Sequence, residues 1–175
     1  MTKTPLNEIT LAALAAEGET ESQLRAYVAV GRAVMVWGNL EQNFSNLVAR
    51  IYHDHGGAVL RPEPPFALKR KIEFWNECFR TLAPLAAHQK AALKFSRDFA
   101  EAKKQRDDLL HFAWDVGEIS KPLKGRVSRA NAKGHVRETM SLPLGAINGL
   151  VNKASHLNLR LFPLAMALFS PSAVR

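Results

Sequence analysis

Apolar residues recur at alternating steps of three and four along most of this chain, which is the spacing of amphipathic helices. The spacing predicts a short N-terminal helix around Pro5–Glu17 and four long helices. We place the first three long helices at about 22–54, 66–82 and 85–112, and expect Ser141 to cap the last, with Pro143 in its first turn. Pro163 lies inside this last helix and is expected to kink it.

Between the third and fourth long helices the pattern changes to alternation. FAWDVG at 112–117 predicts a short strand, and KGRVSR and GHVRETM predict a hairpin or meander that continues it. The predicted fold class is all-α: an antiparallel four-helix bundle with a small basic β-hairpin or meander between the third and fourth long helices. The 175 residues predict one domain, with residues 1–21 as an arm or short helix and 114–140 as the basic β insertion.

Two charged residues occupy positions on the apolar stripes, Glu41 in the first long helix and Arg106 in the third. An ionised side chain that faces a core is costly unless it has a partner. In an up-down-up arrangement the first and third helices run parallel, and the two residues lie roughly 27 and 32 Å along them. We therefore predict that Glu41 and Arg106 approach each other, directly or across a subunit interface. A buried pair that fixes helix register without chemistry is the alternative.

The composition is that of a globular protein, with 47% hydrophobic and 23% charged residues. No apolar run approaches the roughly 20 residues that span a bilayer. The N-terminal MTKTPLNEIT lacks the basic-then-apolar order of a signal peptide. Cys78, the single cysteine, excludes an intramolecular disulfide and is expected to pack in the core. A cytoplasmic protein that does not associate with membranes is therefore expected.

The net charge of +8 favours an anionic partner, and its distribution is uneven. The segment from Ser120 to Arg137 contains no acidic residue and six basic ones: Lys121, Lys124, Arg126, Arg129, Lys133 and Arg137. This cluster indicates RNA or another phosphate-bearing partner. A solvated loop that is simply basic is the alternative interpretation.

A candidate catalytic motif, Arg106-Asp-Asp-Leu-Leu-His111, lies near the end of the third long helix. Residues five apart on a regular helix are separated by about 140° around its axis. For Arg106 and His111 to converge, the helix must end near His111, or a second copy must contribute across a two-fold axis. Asp107 and Asp108 are spaced so that either can orient the imidazole. Alternatively, His111 only complements the helix dipole.

The spacing of this motif is not specific, because about one match with four to six intervening residues is expected by chance. Arg50–His55 and Arg129–His135 also match. Only Arg106 is followed by a polar residue, lies on an apolar stripe and has a candidate carboxylate partner on another helix.

Arg106-Asp107-x-x-x-His111 at the end of the third helix of an α bundle resembles the signature of the HEPN superfamily. In that family the arginine is typically followed by Asn, Asp or His, and the histidine comes four to six residues after the arginine. VGRAVMVWGNLEQNFSNL also looks like a HEPN first helix, and Glu41 lies within it. The resemblance covers roughly residues 23–168 in architecture, and its specific content is the motif and the Glu41 position.

The resemblance implies a homodimeric, metal-independent endoribonuclease, commonly a toxin or defence component. Two RDDLLH segments would face each other across the dimer and form a shared cleft. An antitoxin or regulatory partner is also implied. However, Ala113 occupies the position where toxins paired with a minimal nucleotidyltransferase carry a tyrosine. Leu150, Leu157 and Leu164, beside the main stripe of the last helix, are candidate interface residues.

Metal-free cleavage of RNA uses the 2′-hydroxyl as nucleophile and yields a 2′,3′-cyclic phosphate and a 5′-hydroxyl. In this interpretation His111 is the general base or acid, and Arg106 stabilises the non-bridging oxygens of the phosphate. Asp107 orients His111 or Arg106, and Glu41 holds Arg106. The basic segment from Lys121 to Arg137 would position the RNA backbone. Trp114 would stack a base or pack in the core.

No cofactor is expected, and no metal site, because His53-Asp54-His55 is a poor metal-binding pattern. Two other functions stay open. One is a catalytically inactive HEPN-like dimer that binds RNA or a partner protein. The other is a helical scaffold or regulator that does not bind nucleic acid.

Overall fold

The computed structural model describes residues 21–111, 113–115, 123–131 and 134–169. These residues form helices α1 (Glu21–Asp54), α2 (Leu68–Thr81), α3 (Gln89–His111) and α4 (Leu144–Phe169), strands β1 (Ala113–Asp115), β2 (Leu123–Asn131) and β3 (Gly134–Leu142), and 3-10 helices at Gly57–Val59 and Ala83–His88. A mostly helical chain with four long helices and a small antiparallel sheet before the last is therefore confirmed. The helix predicted around Pro5–Glu17 lies outside the described residues. No helix among the described residues is long and apolar enough to cross a membrane.

Two predicted helix starts differ from the structure. Pro84 lies in the 3-10 helix, and the α-helical part of α3 begins only at Gln89. Such 3-10 turns are frequent at helix N-termini. Ser141 was expected to cap the last helix, but it pairs with Lys124 in the sheet, and α4 begins at Leu144. The backbone of Ser141 is thus committed to strand pairing, so this cap prediction is wrong.

The chain groups into two compact units. The first, the helical unit, comprises Met35–Arg106 and Val151–Arg175. The second, the sheet unit, comprises Met1–Val34 and Asp107–Leu150. Helices α1, α3 and α4 each contribute residues to both units.

The core of the helical unit is a cluster of aromatic side chains from α1, α2 and α3. Phe44 lies at its centre, with ring centroids 5.2 Å from Trp75, 5.8 Å from Phe95 and 4.9 Å from Phe99. The Trp75 indole N–H donates to the carbonyl oxygen of Ala92 at 3.0 Å, which satisfies its one polar atom. The fully buried Phe44 therefore ties three helices together.

Contacts within the helical unit give the helix directions. From Trp37 to Phe44 on α1, the contacted α3 residues run backwards from Arg106 through Phe99 to Phe95, so α1 and α3 are antiparallel. The predicted parallel arrangement of these two helices is wrong. It assumed that the second helix returns along the full bundle, whereas α2 has 14 residues against 34 in α1.

Helix α4 runs parallel to α1 and antiparallel to α3. Asn43 donates to Asn158 at 2.8 Å, and His55 Nε2 lies 3.1 Å from the carbonyl oxygen of Leu168 further along both helices. On the α3 side, Arg160 donates to Asp98 at 2.6 Å. A strictly alternating bundle would place the first and last helices antiparallel, so the four helices form a bundle with a different order of directions.

The connection after α1 depends on the Gly56-Gly57 pair. Gly56 has φ of 81°, a left-handed conformation that glycine adopts without steric cost. A Cβ on Gly57 would lie 2.7 Å from the Phe74 ring and 2.8 Å from the Ile51 carbonyl oxygen. The pair ends α1 and brings the chain close against α2.

The sheet unit contains a three-stranded antiparallel meander in the order β1-β2-β3. Along β2 the side chains alternate: Leu123 and Gly125 are buried, whereas Lys124 and Arg126 are exposed. This is the pattern of a sheet with one covered and one solvated face. The predicted strand at 112–117 is confirmed at Ala113–Asp115.

We expect Phe44→Ala to lower the free energy of unfolding by about 3–5 kcal/mol, because it leaves a cavity at the centre of the aromatic cluster. Urea denaturation followed by circular dichroism measures this change. Phe66→Ala is the matched control, since the Phe66 side chain is 83% exposed, and it should change stability by no more than about 0.5 kcal/mol. Equal losses for the two variants would contradict the proposed core.

Asp98 provides a pH-dependent test of the contact between α3 and α4. Lys94 and then Arg160 donate to its carboxylate, at 2.9 and 2.6 Å, and these hydrogen bonds hold the pKa of Asp98 below its ordinary value. Asp98→Asn should therefore be less stable than the wild type above the ordinary aspartate pKa. This difference should disappear as the pH falls through the lowered pKa of the folded state. Urea denaturation of the two proteins across acidic pH measures this difference.

Candidate functional site

The centre of the candidate site is an ion pair within the helical unit. Arg106 Nη2, on α3, donates to Glu41 Oε1, on α1. The side chains are 17% and 31% exposed, respectively. The contact predicted between these two residues is confirmed, and it forms within one chain. The two helices are antiparallel, so the contact forms without the parallel arrangement from which it was predicted.

Trp37 completes this ion pair, one turn before Glu41 on α1. Its indole N–H donates to the same Glu41 Oε1 at 2.6 Å, and the Arg106 Cζ lies 5.3 Å from the centroid of the Trp37 ring. The Trp37 ring in turn stacks on Phe99, with centroids 5.3 Å apart. Trp37 is not among the site residues predicted from the sequence. Trp37 lies four residues before Glu41, and this helical spacing could have indicated a hydrogen bond between their side chains.

The network of Trp37, Glu41 and Arg106 fixes the plane of the guanidinium group. A planar guanidinium can bind phosphate through two parallel N–H groups, and its orientation decides where that phosphate lies. Fixing the cation before substrate arrives is the preorganisation that electrostatic catalysis requires. The same contacts also fit a structural ion pair that holds α1 against α3.

His111 is the last residue of α3, and its side chain is exposed. The helix end required for the motif is therefore present. Asp107 and Asp108 are half-buried and precede His111 by four and three residues, the helical spacings of neighbouring side chains. His111 can thus reach solvent or a substrate. Asp107 and His111 belong to the sheet unit, whereas Arg106 is the last α3 residue of the helical unit.

The structure places three of the six predicted basic residues together. Lys124, Arg126 and Arg137 are exposed, and strand register puts them on one face of the β2–β3 hairpin. Arg129 pairs in register with Val136 and is out of phase with this row. Lys121 and Lys133 lie outside the described residues.

Trp114 does not share that face. It is half-buried and pairs in register with the buried Gly125, and its indole N–H donates to the carbonyl oxygen of Leu109 at 2.6 Å. Successive residues of a strand point to opposite faces, so Trp114 lies opposite Lys124 and Arg126. These contacts support its packing role more than base stacking.

The apolar residues proposed for an interface are buried in the chain itself. Leu150, Leu157 and Leu164 are 6%, 2% and 4% exposed, so their assignment to a subunit interface is wrong. The face of α4 that carries these three leucines instead packs within the chain. A different set of large apolar side chains on α4 is exposed: Leu159, Phe162 and Met166.

The remaining candidates of the sequence analysis have other contacts. His55 is buried beside the carbonyl oxygen of Leu168, Asp54 forms an ion pair with Arg50 at 2.8 Å, and His53 packs edge-on against Tyr52. Among the described residues no group of three or more His, Cys, Asp or Glu side chains is arranged to hold a metal.

Cys78 is fully buried, which confirms the prediction that it packs in the core. Burial raises the pKa of its thiol to about 12. A thiol with this pKa remains protonated at neutral pH and is a poor nucleophile. Cys78 is therefore not a candidate catalytic residue.

None of the family models, curated proteins or solved structures with which the chain was compared matches it. The chemistry of the site therefore has to be inferred from its own residues. In the helical unit these include an oriented arginine, and in the sheet unit an exposed histidine and a row of exposed cations.

A double-mutant cycle tests whether the ion pair is energetically coupled. Glu41→Gln and Arg106→Gln should each lower the free energy of unfolding by about 1–3 kcal/mol, because each leaves a partly buried charge without its partner. The double variant should lose less than the sum, with a coupling of about 1 kcal/mol or more. The exposed pair Glu21–Arg25 is the control, where coupling should stay below about 0.5 kcal/mol. A coupling at Glu41–Arg106 no larger than this control would contradict a stable contact.

Proposed function

We propose that this protein is a metal-independent endoribonuclease of the HEPN type that acts as a homodimer in the cytoplasm. One observation supports this most. An arginine in the last turns of α3 is oriented by a carboxylate and an indole, and the same helix ends in an exposed histidine. These are the two groups that cleavage of RNA without a metal requires, and their spacing is that of the HEPN motif.

RNA is the proposed substrate because it contains its own nucleophile. The 2′-oxygen attacks the adjacent phosphorus while the bond to the 5′-oxygen breaks, which leaves a 2′,3′-cyclic phosphate and a 5′-hydroxyl. One group must take the proton of the 2′-hydroxyl, one must protonate the departing 5′-oxygen, and a cation must stabilise the pentavalent phosphorane. An imidazole performs proton transfer near neutral pH, and a guanidinium stabilises the charge.

Each residue of the candidate site has a role in this scheme. His111 is the general base or acid, and Arg106 contacts the non-bridging oxygens. Asp107 orients His111 or Arg106. Glu41 acts through Arg106 as a positioning residue, and Trp37 shares that role because it contacts both members of the ion pair. Lys121, Lys124, Arg126, Arg129, Lys133 and Arg137 hold the RNA backbone.

The homodimer places two RDDLLH segments opposite each other in a shared cleft, and the biological role is that of a toxin or defence component with an antitoxin or regulatory partner. An exposed apolar surface supports the presence of a protein partner. Leu159, Phe162 and Met166 follow one another at helical spacing on α4, with exposed fractions of 69%, 66% and 56%. Apolar patches of this kind mark interaction surfaces.

A second function is favoured by the burial of Arg106. Only 17% of its side chain is exposed, and it forms an ion pair with Glu41, which fits a structural role. The protein would then be a catalytically inactive HEPN-like module that binds RNA through the sheet, or binds a partner protein.

The deciding experiment is incubation of the purified protein with end-labelled RNA in EDTA. We expect the wild type to cleave and to leave cyclic-phosphate ends. Arg106→Ala and His111→Ala should each lower the rate at least about 100-fold, since they remove charge stabilisation and proton transfer. Glu41→Gln should have a smaller effect, because it acts only on the orientation of Arg106.

Two matched controls accompany these variants. Arg97→Ala removes an exposed arginine from the same helix, and His156→Ala removes an exposed histidine from α4. Both should cleave like the wild type. Equal cleavage by the wild type and all five variants would place the site elsewhere or reveal a contaminating nuclease. Absence of cleavage with salt-sensitive RNA binding would support the inactive binding module.

A further inference from the structure

The register of the β2–β3 hairpin arranges basic and hydroxyl residues in rows. Lys124 pairs with Ser141, and Arg126 pairs with Thr139. The next row on the same face pairs Arg137 with Ser128. Each row thus contains one basic residue and one hydroxyl residue. We call these three rows the cation–hydroxyl ladder.

The ladder lies on a solvated face. The side chains of Lys124, Arg126, Arg137, Thr139 and Ser141 are all exposed, and residues of its first two rows help to line an open depression of about 410 Å³. None of these five side chains is acidic or aromatic. The opposite face of β2 instead bears the buried Leu123 and Gly125. Alternation along the strands therefore separates a polar, cationic face from a covered one.

The rows are regularly spaced. Adjacent rows are two residues apart, which is about 6.8 Å along an antiparallel strand, so the three rows extend over about 14 Å. This spacing is comparable to that of neighbouring phosphates in an extended single strand of nucleic acid. A cation can neutralise each phosphate, and the adjacent hydroxyl can donate a hydrogen bond to one of its oxygens.

The ladder is also close to the candidate catalytic histidine in the same unit. Ala113, two residues after His111, pairs in register with Arg126. Two residues extend at most about 7 Å, and paired strands lie about 5 Å apart. The Cα atoms of His111 and Arg126 are therefore within about 13 Å, a separation that a few nucleotides can bridge.

From this placement we infer that the cation–hydroxyl ladder is a binding site for the phosphates of about three consecutive nucleotides of single-stranded RNA. It holds the strand beside His111. The ladder binds phosphate and not bases, since its described side chains offer charges and hydroxyls but no ring on which a base can stack. Binding is therefore independent of base sequence. This inference rests on the proposed ribonuclease function only for its placement of the strand near His111.

The three rows are not equivalent. On β1, Asp115 pairs in register with Lys124, whereas Ala113 pairs with Arg126. An arginine can bind phosphate through two parallel N–H groups, whereas a lysine acts as a point charge, so Arg126 contributes more to binding than Lys124. The second row, Arg126 with Thr139, is thus the strongest phosphate contact of the ladder and the one in register with the strand that follows His111.

Binding is measured by fluorescence anisotropy of a labelled 12-nucleotide RNA in EDTA, in the His111→Ala background so that the RNA stays intact. Substitution of Lys124, Arg126 and Arg137 by Gln removes three phosphate contacts. The slope of log affinity against log salt should become shallower by about 2, and the affinity at 0.1 M salt should fall about 100-fold. Arg126→Gln alone should have a larger effect than Lys124→Gln.

A control triple variant distinguishes RNA binding by the ladder from attraction by net charge alone. Substitution of Arg80, Lys90 and Arg97 by Gln removes the same charge from exposed residues of the helical unit. It should change affinity no more than about threefold, since it removes no phosphate contact. Equal losses in the two triples would overturn the ladder in favour of diffuse attraction.

Thr139→Val tests the hydroxyl half of the ladder without a change in charge. Loss of one hydrogen bond to phosphate should weaken binding about twofold to tenfold. The exposed Thr81→Val is the control and should bind like its parent. Unchanged binding by Thr139→Val would show that the hydroxyl groups do not contribute to phosphate binding.

The choice of nucleic acid tests the ligand class. Single-stranded DNA of the same sequence should bind within about threefold of the RNA, because the contacts are to phosphate. A blunt RNA duplex should bind at least about tenfold more weakly. Equal affinity for the duplex would overturn the single-strand assignment. Binding to phosphatidylserine vesicles and not to the oligonucleotide would overturn the nucleic acid assignment altogether.

Cleavage by the ladder triple in the otherwise wild-type protein separates this inference from the proposed function. The triple should raise KM and leave kcat within about threefold, because its contacts bind substrate and transition state alike. Cleavage with unchanged KM and salt slope would overturn the ladder and retain the ribonuclease. Ladder-dependent binding without any cleavage by the wild type would retain the ladder and overturn the ribonuclease.

Discussion

The candidate site depends on the interactions of Arg106, because a charged arginine beside an apolar core requires a partner. Glu41 accepts its hydrogen bond, and the ring of Trp37 lies beside its guanidinium group. Trp37 stacks on Phe99, which packs edge-on against Phe44 at the centre of the aromatic cluster. The orientation of the guanidinium is thus tied to the packing of three helices. The interactions that stabilise the helical unit also fix the position of its one candidate phosphate-binding cation on α3.

The groups with proposed chemical roles have different environments, and each environment suits its role. Arg106 is largely buried, and a cation that stabilises a transition state benefits from a fixed position and reduced exposure to water. His111, to which proton transfer is proposed, is exposed at the end of α3. Lys124, Arg126 and Arg137 of the sheet are exposed to solvent, where they can attract a polyanion. The proposed charge stabilisation by Arg106, proton transfer by His111 and attraction of a polyanion by the sheet cations therefore use separate parts of the chain.

Much of this arrangement was predictable, and the exceptions have physical causes. Periodicity located the helices because burial of one face requires apolar residues every three or four positions. It could not exclude Ser141 from the last helix, because strand pairing with Lys124 outweighed a favourable cap residue. Nor did it separate internal packing from an interface: Leu150, Leu157 and Leu164 are equally apolar in either role, and only their burial within the chain distinguishes the two.

The sequence alone determined the helical segments, the alternation of the basic insertion and the need of Glu41 and Arg106 for each other, since these follow from local spacing and from the cost of burying a charge. Tertiary structure decided that α1 and α3 are antiparallel and that Trp37 joins the ion pair, because both depend on contacts between residues distant in sequence. It also decided which basic residues share a face of the sheet. Register is set by strand pairing, and a shift of one residue would move every one of those side chains to the other side.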